Sequence, residues 1–253
     1  MKIFLAGLNA RPSFFNEAGS EKIPRFCLES FYSFKKWEHH IIHEADEFIL
    51  DSGAFTYMQK NNVSDVNWFA YAEEYANFVL ENNIRNYVEL DIDSIIGYEK
   101  VLELRKFLED KTNRPCMPVW HLWRGKDDFK RMIEEYDYAC IGGFVSNAGG
   151  GILTSANKMK YIAHFISEAH SNNCRLHGLG CTRTSSLTKL KFDSVDSTSW
   201  LSGARYGQIH QFDGKRIKVY PKPKNTRIKN YMALDTFNLR QWQKYQDYAF
   251  ENL

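Results

Sequence analysis

The sequence predicts a single (β/α)8 barrel of the TIM type, spanning residues 1–253. Three observations support this fold class. Short apolar runs alternate with segments of helical periodicity, which is typical of a parallel sheet covered by helices. Eight such units fit into 253 residues, a common size for this barrel. Acidic residues also stand at the ends of several apolar runs, where barrels of this type carry their chemistry.

Most of the apolar runs are continuous, as expected for strands that are covered on both faces. They predict strands at Lys2–Leu8, Glu47–Asp51, Asn86–Asp91, Cys116–His121, Tyr138–Gly142, Arg175–Leu179, Phe192–Asp196 and Arg216–Tyr220. Apolar residues at three- and four-residue spacings predict the helices between them. These lie at Asp65–Asn82 with Ser64 as its N-cap, Gly97–Asp110, Lys126–Tyr136 and Ser155–Ser171, followed by a C-terminal helix at Phe237–Glu251.

The overall composition is that of an ordinary globular protein, with 43% hydrophobic and 25% charged residues. The net charge is only +2, so the whole molecule is not a polycation. The segment 214–229 nevertheless carries seven Lys or Arg residues, among them Lys215, Arg216 and Lys218, and no acid. Such a segment is either a solvated face or a strip that contacts phosphates.

Cysteine usage and hydropathy predict the compartment. The five cysteines are odd in number and none has C-x-x-C spacing, which predicts a reducing environment without a disulfide framework. The apolar segment at the N-terminus is too short for a signal peptide, and no run reaches transmembrane length. We therefore expect a cytoplasmic protein that does not contact membranes.

Side chains at the carboxyl ends of the strands of a barrel converge on one mouth. The predicted strands bring the following residues there: Asp51, Asp91, Asp93, His121, Gly142, Gly143, His177 and Asp196. A single acid of this kind is often only a helix cap, but acids at several strand ends indicate chemistry. Two carboxylates beside one sugar carbon can divide the work, because one attacks the anomeric carbon and the other moves protons.

Other kinds of site find less support. Asp91 and Asp93 with His121 or His177 could hold a divalent ion, but no H-x-H or H-E-x-x-H spacing supports zinc, and we predict neither metal nor cofactor. The dinucleotide-binding turn G-x-G-x-x-G is missing, and Gly149–Gly151 predicts only a flexible loop. Ser52 lies outside any G-x-S-x-G nucleophile elbow.

The sequence resembles the queuine and archaeosine tRNA-guanine transglycosylases, and more closely their short phage relatives that insert 7-deazaguanines into DNA. Asp51–Thr56 is similar to the D-S-G-G-F-Q motif of the family, and Ile141–Phe144 is similar to its I-G-G-L loop. His177–Thr182 resembles its M-G-V-G-T/S strand end. Phe192–Asp196 followed by Gly203–Gly207 resembles V-D-M-F-D and N-A-R-N-G. These matches occur in the order of the family.

The resemblance implies a ping-pong exchange of guanine inside a polynucleotide. Asp196 would be the nucleophile on C1′, and Asp51 the carboxylate that transfers protons. The residues expected to bind the base are Asp91 or Asp93, His121, Gly142, Gly143, Phe144, His177, Ser52 and Phe55. Arg205, Lys215, Arg216 and Lys218 would contact the nucleic-acid backbone. The incoming base implied is a 7-cyano- or 7-aminomethyl-7-deazaguanine.

Departures from the family indicate the polymer. The tRNA enzymes carry a C-x-C-x-x-C…H zinc site after the A-R-x-G segment, and nothing here matches it. Thr56 and His121 stand where the family has glutamines. We therefore expect DNA as the substrate, with tRNA as the alternative. A metal-dependent hydrolase and a non-catalytic nucleic-acid-binding barrel are further alternatives.

Overall fold

The computed structural model describes residues 1–16, 19–54, 56, 66–143, 156–181 and 184–253. Parallel pairing joins eight strands in the order β4-β3-β2-β1-β8-β7-β6-β5. They are β1 (Lys2–Ala6), β2 (Phe26–Ser30), β3 (Glu47–Asp51), β4 (Asn86–Tyr87), β5 (Val119–Trp120), β6 (Tyr138–Ile141), β7 (Arg175–Gly178) and β8 (Ser194–Ser197). A parallel bridge between Val88 and Met117 links the two outermost strands of this order. The backbone N–H of Glu89 donates to Met117 there, and that of Met117 donates to Tyr87. The predicted (β/α)8 barrel is therefore confirmed.

Two strand predictions need correction. The sequence reading missed β2, because its apolar run is short and Glu29 interrupts it. The predicted strand at Arg216–Tyr220 is not part of the barrel. Its residues form β10 (Ile217–Tyr220), which pairs antiparallel with β9 (Ile209–Phe212) in a separate hairpin. Only Ile217 of β10 is buried and its other three residues are exposed, so this strand is not covered on both faces as a barrel strand is.

Helices lie between the strands largely where periodicity predicts them. They are α1 (Pro12–Phe15), α2 (His39–Glu44), α3 (Trp68–Glu81), α4 (Asp93–Ile96), α5 (Tyr98–Thr112), α6 (Gly125–Glu135), α7 (Ala156–Ser171), α8 (Thr184–Leu187), α9 (Ser202–Tyr206) and α10 (Tyr231–Asn252). Helix α3 begins after Asn67, whose side-chain oxygen accepts a hydrogen bond from the backbone N–H of Ala70. The predicted cap, Ser64, lies outside the described residues.

Two apolar layers follow from the alternation of side chains along the strands. The inner layer fills the barrel with Phe4, Phe26, Leu28, Ile49, Val88, Met117, Val119, Tyr138 and Cys140. The outer layer packs the other strand faces against the helices, as Trp120 does against Phe129 and Phe165. A fully buried side chain of this size contributes about 1.5–3 kcal/mol. The filled interior confines a ligand to the open ends of the barrel.

Helix α10 joins the end of the chain to its beginning. The Gln246 amide donates to the backbone carbonyls of Ile3 and Phe26, at 2.6 and 2.9 Å. The β9–β10 hairpin packs on the same helix, since Asn238 and Gln241 accept hydrogen bonds from its backbone. The basic segment is therefore carried by a hairpin on α10, outside the barrel wall.

Candidate active site at the carboxyl end of the barrel

Five side chains that can carry chemistry stand at the carboxyl ends of the barrel strands. Asp51 is the last residue of β3, Asp196 and His177 lie in β8 and β7, and Asp91 and His121 follow β4 and β5. Asp51 lies two residues after Ile49 of the inner layer, and His121 lies two residues after Val119. The period of two along a strand therefore directs these side chains into the mouth.

Two groups contact the carboxylate of Asp196, and with a neutral His177 neither of them carries a formal charge. Its Oδ1 accepts a hydrogen bond of 2.5 Å from the backbone N–H of Gly180 and lies 3.3 Å from Nε2 of His177. The imidazole of His177 is fully buried, and its Nδ1 lies 2.7 Å from the hydroxyl of Ser194. That hydroxyl lies 2.5 Å from the phenol of Tyr138.

This chain of contacts fixes the direction of the protons. An ionised carboxylate only accepts, so a neutral His177 donates Nε2–H to Asp196 and leaves Nδ1 as an acceptor. Ser194 then donates to Nδ1 of His177 and accepts from the phenol of Tyr138, whose pKa burial raises well above its usual value. Asp196 is thereby oriented as a hydrogen-bond acceptor, which is the state that a carboxylate nucleophile requires.

Asp51 lies in a different electrostatic environment. Its Oδ1 accepts a hydrogen bond of 2.6 Å from the backbone N–H of Gly53. Burial raises the pKa of Asp51 to about 6, the Gly53 hydrogen bond opposes this rise, and the charges of Asp196 and Asp91 add to it. The three acids therefore share one electrostatic field. A carboxyl group that titrates near neutrality can both donate and accept a proton during a reaction.

The turn after Asp51 depends on glycine. Gly53 has a φ of +69°, and a Cβ there would lie 2.2 Å from the hydroxyl of Ser30 and 2.6 Å from Cβ of Tyr32. Any larger residue would displace the turn, and with it the amide that donates to Asp51. Ser52 itself is buried, and its carbonyl accepts a hydrogen bond from the phenol of Tyr71.

Asp91 and His121 form a hydrogen-bonded pair on the other side of the mouth. Asp91 Oδ1 lies 2.6 Å from Nε2 of His121. The imidazole is packed between the indole of Trp123, stacked at 4.1 Å, and the backbone of Gly142. A Cβ on Gly142 would lie only 2.4 Å from Cε1 of His121, so glycine is required there. Nδ1 of His121 is buried and has no hydrogen-bond partner among the described residues.

Asp93 is engaged elsewhere. It begins α4 and accepts hydrogen bonds from Nε of Arg124 at 2.8 Å and from the indole of Trp123 at 3.2 Å. Burial opposes its ionisation, but the hydrogen bond and charge of Arg124 outweigh burial and lower the pKa of Asp93. Of the two candidate base-binding acids, Asp91 is the one that contacts His121 by a hydrogen bond.

Asp91, Asp93 and His121 also have the composition of a small metal centre. One ligand atom from each lies within 4.8 Å of the others. Carboxylate and imidazole ligands suit several divalent ions. Arg124 already balances the charge of Asp93, however, and Nε2 of His121 is already hydrogen-bonded to Asp91. A cation would have to replace both contacts.

The remaining predicted site residues are distributed as follows. Gly143 follows Gly142 with a φ of +89°, a conformation that favours glycine. Phe144 and Phe55 lie outside the described residues. Arg205 lies in α9, next to Tyr206, whose ring is 68% exposed.

The predicted backbone contacts in the hairpin are exposed, but an acid accompanies them. Arg216 and Lys218 approach Asp213 to 3.6 and 3.2 Å. Asp213 also accepts hydrogen bonds from the backbone N–H groups of Lys215 and Arg216, and these contacts lower its pKa to about 2. Part of the positive charge of the hairpin is thus balanced locally.

Sequence reasoning missed several residues that support the site. Ser194 lies two residues before Asp196 on the same strand face, so the period of two could have identified it. Trp123 and Arg124 lie two and three residues after a strand-end histidine, but their sequence gives no sign of what they contact. Tyr138 reads as a core residue, and only the closed barrel brings its phenol to Ser194.

Comparisons with known proteins show similarity of fold alone. No family model matches the chain, and no curated protein matches it. Among solved structures, the aldolase QR15 aligns with 68% of this chain and 76% of its own, at 11% identity and a TM-score of 0.44. The carboxyl transferase domain of Rhizobium etli pyruvate carboxylase aligns with 98% of this chain and 47% of its own, at 12% identity and a TM-score of 0.48. The T882A variant of that pyruvate carboxylase aligns with 98% of this chain and 28% of its own, at 10% identity and a TM-score of 0.48.

These likenesses are too distant to transfer a substrate or a reaction. In the pyruvate carboxylase chains, the similar region is less than half of the whole length. Within the described part of this chain, no helix combines the length and the apolar character needed to cross a membrane.

Proposed function

We propose that the protein is a base-exchange glycosyltransferase that replaces guanine in DNA with a 7-deazaguanine. The observation that carries this proposal is the pair Asp196 and Asp51 at the barrel mouth. Asp196 is oriented by Gly180 and His177, and Asp51 has a pKa near 6 and lies within the field of Asp196. One acid is prepared to attack, and the other is prepared to exchange protons.

In the first half of the reaction, a carboxylate oxygen of Asp196 forms a bond to C1′ while the C1′–N9 bond breaks. The departing guanine takes the bonding electron pair, and Asp51 supplies the proton that neutralises it. In the second half, N9–H of the incoming base gives its proton to Asp51 while N9 bonds to C1′ and releases Asp196. Two inversions at C1′ retain its configuration.

The base pocket follows from the pair on the opposite side of the mouth. Asp91 is suited to the N–H groups on the Watson–Crick edge of a guanine-like base, and the hydrogen bond to Nε2 of His121 holds its carboxylate in place. Gly142 and Gly143 offer backbone groups beside them. The 7-cyano- or 7-aminomethyl-7-deazaguanine identity of the incoming base rests on the family resemblance of the sequence.

DNA is favoured over tRNA because the cysteine motif of the tRNA enzymes is missing from the sequence. A target guanine in duplex DNA must leave the base stack, at a cost of a few kcal/mol. Arg205 and the exposed Lys215 are candidate phosphate contacts that offset this cost.

The proposal is tested by the mass of the denatured protein after incubation with guanine-containing DNA or RNA oligonucleotides. We expect a covalent adduct with DNA, and none with the Asp196→Ala variant. Release of labelled guanine by Asp196→Ala would contradict the role of Asp196. An adduct with tRNA but none with DNA would move the proposal to the alternative polymer.

The cluster of Asp91, Asp93 and His121 supports a second candidate function, a metal-dependent hydrolase. In that case a chelator abolishes activity, and added divalent ions restore it. The glycosyltransferase proposed here keeps its activity in the chelator, so this experiment separates the two functions.

A further inference from the structure

A second cleft lies beside the mouth, on the outer side of His121. It has a volume of about 370 Å³ and is lined by Asp93, Tyr98, Trp123, Arg124, Asp128 and Arg131. We refer to it as the Trp123 cleft. Its volume falls in the range of small-ligand sites, roughly 300–1,000 Å³. Neither Asp196 nor Asp51 lines it, so the proposed chemistry leaves it without a role.

The aromatic wall of the cleft is rigid and open on one side. Trp123 is 66% exposed, although one face of its indole lies flat on His121, at an interplanar angle of 9°. Its N–H donates to Asp93, which Arg124 holds in place. A large apolar ring fixed in this way offers a flat surface to a planar ligand. Each of the nucleobases can stack on such a ring, so this contact does not depend on the nucleic-acid sequence.

Two guanidinium groups supply hydrogen-bond donors to the cleft, and each also contacts a carboxylate of the lining, Asp93 or Asp128. Arg131 has a side chain that is 68% exposed, and its contact with Asp128 is a long one of 3.4 Å. The Arg124 side chain is only 5% exposed, lies over the ring of Tyr98 at 4.1 Å and donates to Asp93. Its Nη2 is buried without a hydrogen-bond partner among the described residues. A buried guanidinium N–H of this kind indicates a missing acceptor.

We propose that the Trp123 cleft binds the nucleotide next to the target guanine. Its base stacks on the open face of Trp123, its phosphate contacts Arg131, and Nη2 of Arg124 donates to one of its oxygens. This inference rests on the proposed function, because it takes a polynucleotide as the substrate. Trp123 also stacks on His121, so an occupied cleft holds that imidazole in the base pocket.

The test is equilibrium binding of a labelled single-stranded DNA oligonucleotide that contains only thymine, followed by fluorescence anisotropy. This probe lacks guanine, so its binding is independent of base exchange. Base stacking is worth about 1–3 kcal/mol, so Trp123→Ala should weaken binding roughly 5- to 150-fold. Trp123→Phe keeps an aromatic face and should restore part of the loss. Arg131→Gln should reduce the slope of log affinity against log salt by about 0.7.

Two matched controls lie on the outer helices. Phe69 of α3 is an exposed aromatic residue whose ring lies under the ammonium group of Lys100. Lys106 of α5 is an exposed basic side chain that forms a salt bridge with Asp110. Phe69→Ala and Lys106→Gln should bind the oligonucleotide as the wild type does. Circular dichroism of each variant shows whether it is folded. We expect folded variants, because the side chains of Trp123 and Arg131 are highly exposed.

The inference is overturned if the wild type does not bind the oligonucleotide, or if folded Trp123→Ala binds it as tightly as the wild type. Failure of the proposed function gives a different result. Binding that depends on Trp123, without any Asp196 adduct, would retain the cleft and remove the exchange reaction. If the protein forms the Asp196 adduct but its affinity for the oligonucleotide does not depend on Trp123, the exchange reaction is retained and the role of the cleft is removed.

Discussion

The two ends of strands β3 and β8 both carry acids, but the acids have different partners. At the amino end, Glu47 pairs with Lys2, and Asp193 pairs with His170 and the backbone N–H of Leu176. At the carboxyl end, Asp51 and Asp196 accept hydrogen bonds from backbone amides. Among the described residues, no Lys or Arg forms a salt bridge with either of them.

On each of the two strands, the structural acid therefore lies at the amino end and the candidate catalytic acid at the carboxyl end. The pairs at the amino end tie one element to another, and most are partly exposed, so each contributes about 0–1 kcal/mol. At the mouth, burial is the main cause that raises the pKa of Asp51 to about 6, and the charges of Asp196 and Asp91 add to the rise. A protein tolerates such a destabilising arrangement where function needs it.

The largest expected effect separates the two acids around β8. Asp196→Asn should lower the rate of base exchange on the order of 10⁴-fold or more, because a neutral amide cannot form the glycosyl-enzyme bond. Asp193→Asn should change the rate only a few-fold, because Asp193 contacts His170 and backbone at the far end of the strand. Single-turnover rates with labelled guanine measure both variants. If both variants lost the same factor in exchange rate, the two ends of β8 would not differ in function.

The second effect makes the same comparison on β3. Asp51→Asn should reduce the rate by about 10²- to 10⁴-fold, the usual contribution of a general acid–base group. In the wild type, the pH–rate profile should show an inflection near pH 6 that this variant lacks. Glu47→Gln, at the opposite end of the strand, is the control and should retain the inflection. A profile that is unchanged in Asp51→Asn would exclude Asp51 as the proton-transferring group.

The raised pKa of Asp51 also predicts a dependence of stability on pH. The folded pKa lies near 6 and the ordinary value near 3.8, so ionised Asp51 destabilises the folded state above pH 6. Asp51→Asn, whose amide oxygen can still accept from Gly53, should therefore raise the free energy of unfolding at pH 8. The gain is at most about 3 kcal/mol, since each unit of pKa shift is worth about 1.4 kcal/mol.

Urea unfolding at several pH values measures this gain. It should decline as the pH falls through 6 and disappear below about pH 4, where Asp51 is protonated in both states. A gain that is the same at pH 8 and pH 4 would mean that the charge of Asp51 is not the cause.

The smallest expected effect tests the support behind Asp196. Tyr138→Phe removes the phenol that donates to Ser194 and leaves the interior packing nearly unchanged. We expect a loss of stability of about 1 kcal/mol, the usual contribution of one hydrogen bond, and a rate reduced only a few-fold. Thermal unfolding and exchange rates measure the two quantities. A loss comparable to that of Asp196→Asn would assign the phenol a direct role in the reaction.

The amino-acid sequence by itself determined the barrel and the strand ends that carry its acids. Alternating apolar runs and helical segments define the fold because a parallel sheet must be covered on both faces. The same pattern failed at β2, where the buried Glu29 interrupts the apolar run, and at β10, where three of the four residues are exposed.

Only the tertiary structure decided how the acids are used. Asp91 and Asp93 are two residues apart and equivalent in sequence, yet one contacts His121 and the other is neutralised by Arg124. The chain Tyr138–Ser194–His177–Asp196 joins three strands, and the Trp123 cleft joins the helical segments that follow β4 and β5. Hydrogen bonds and electric fields depend on distance in space, and the closing of the barrel, not the order of residues, sets those distances.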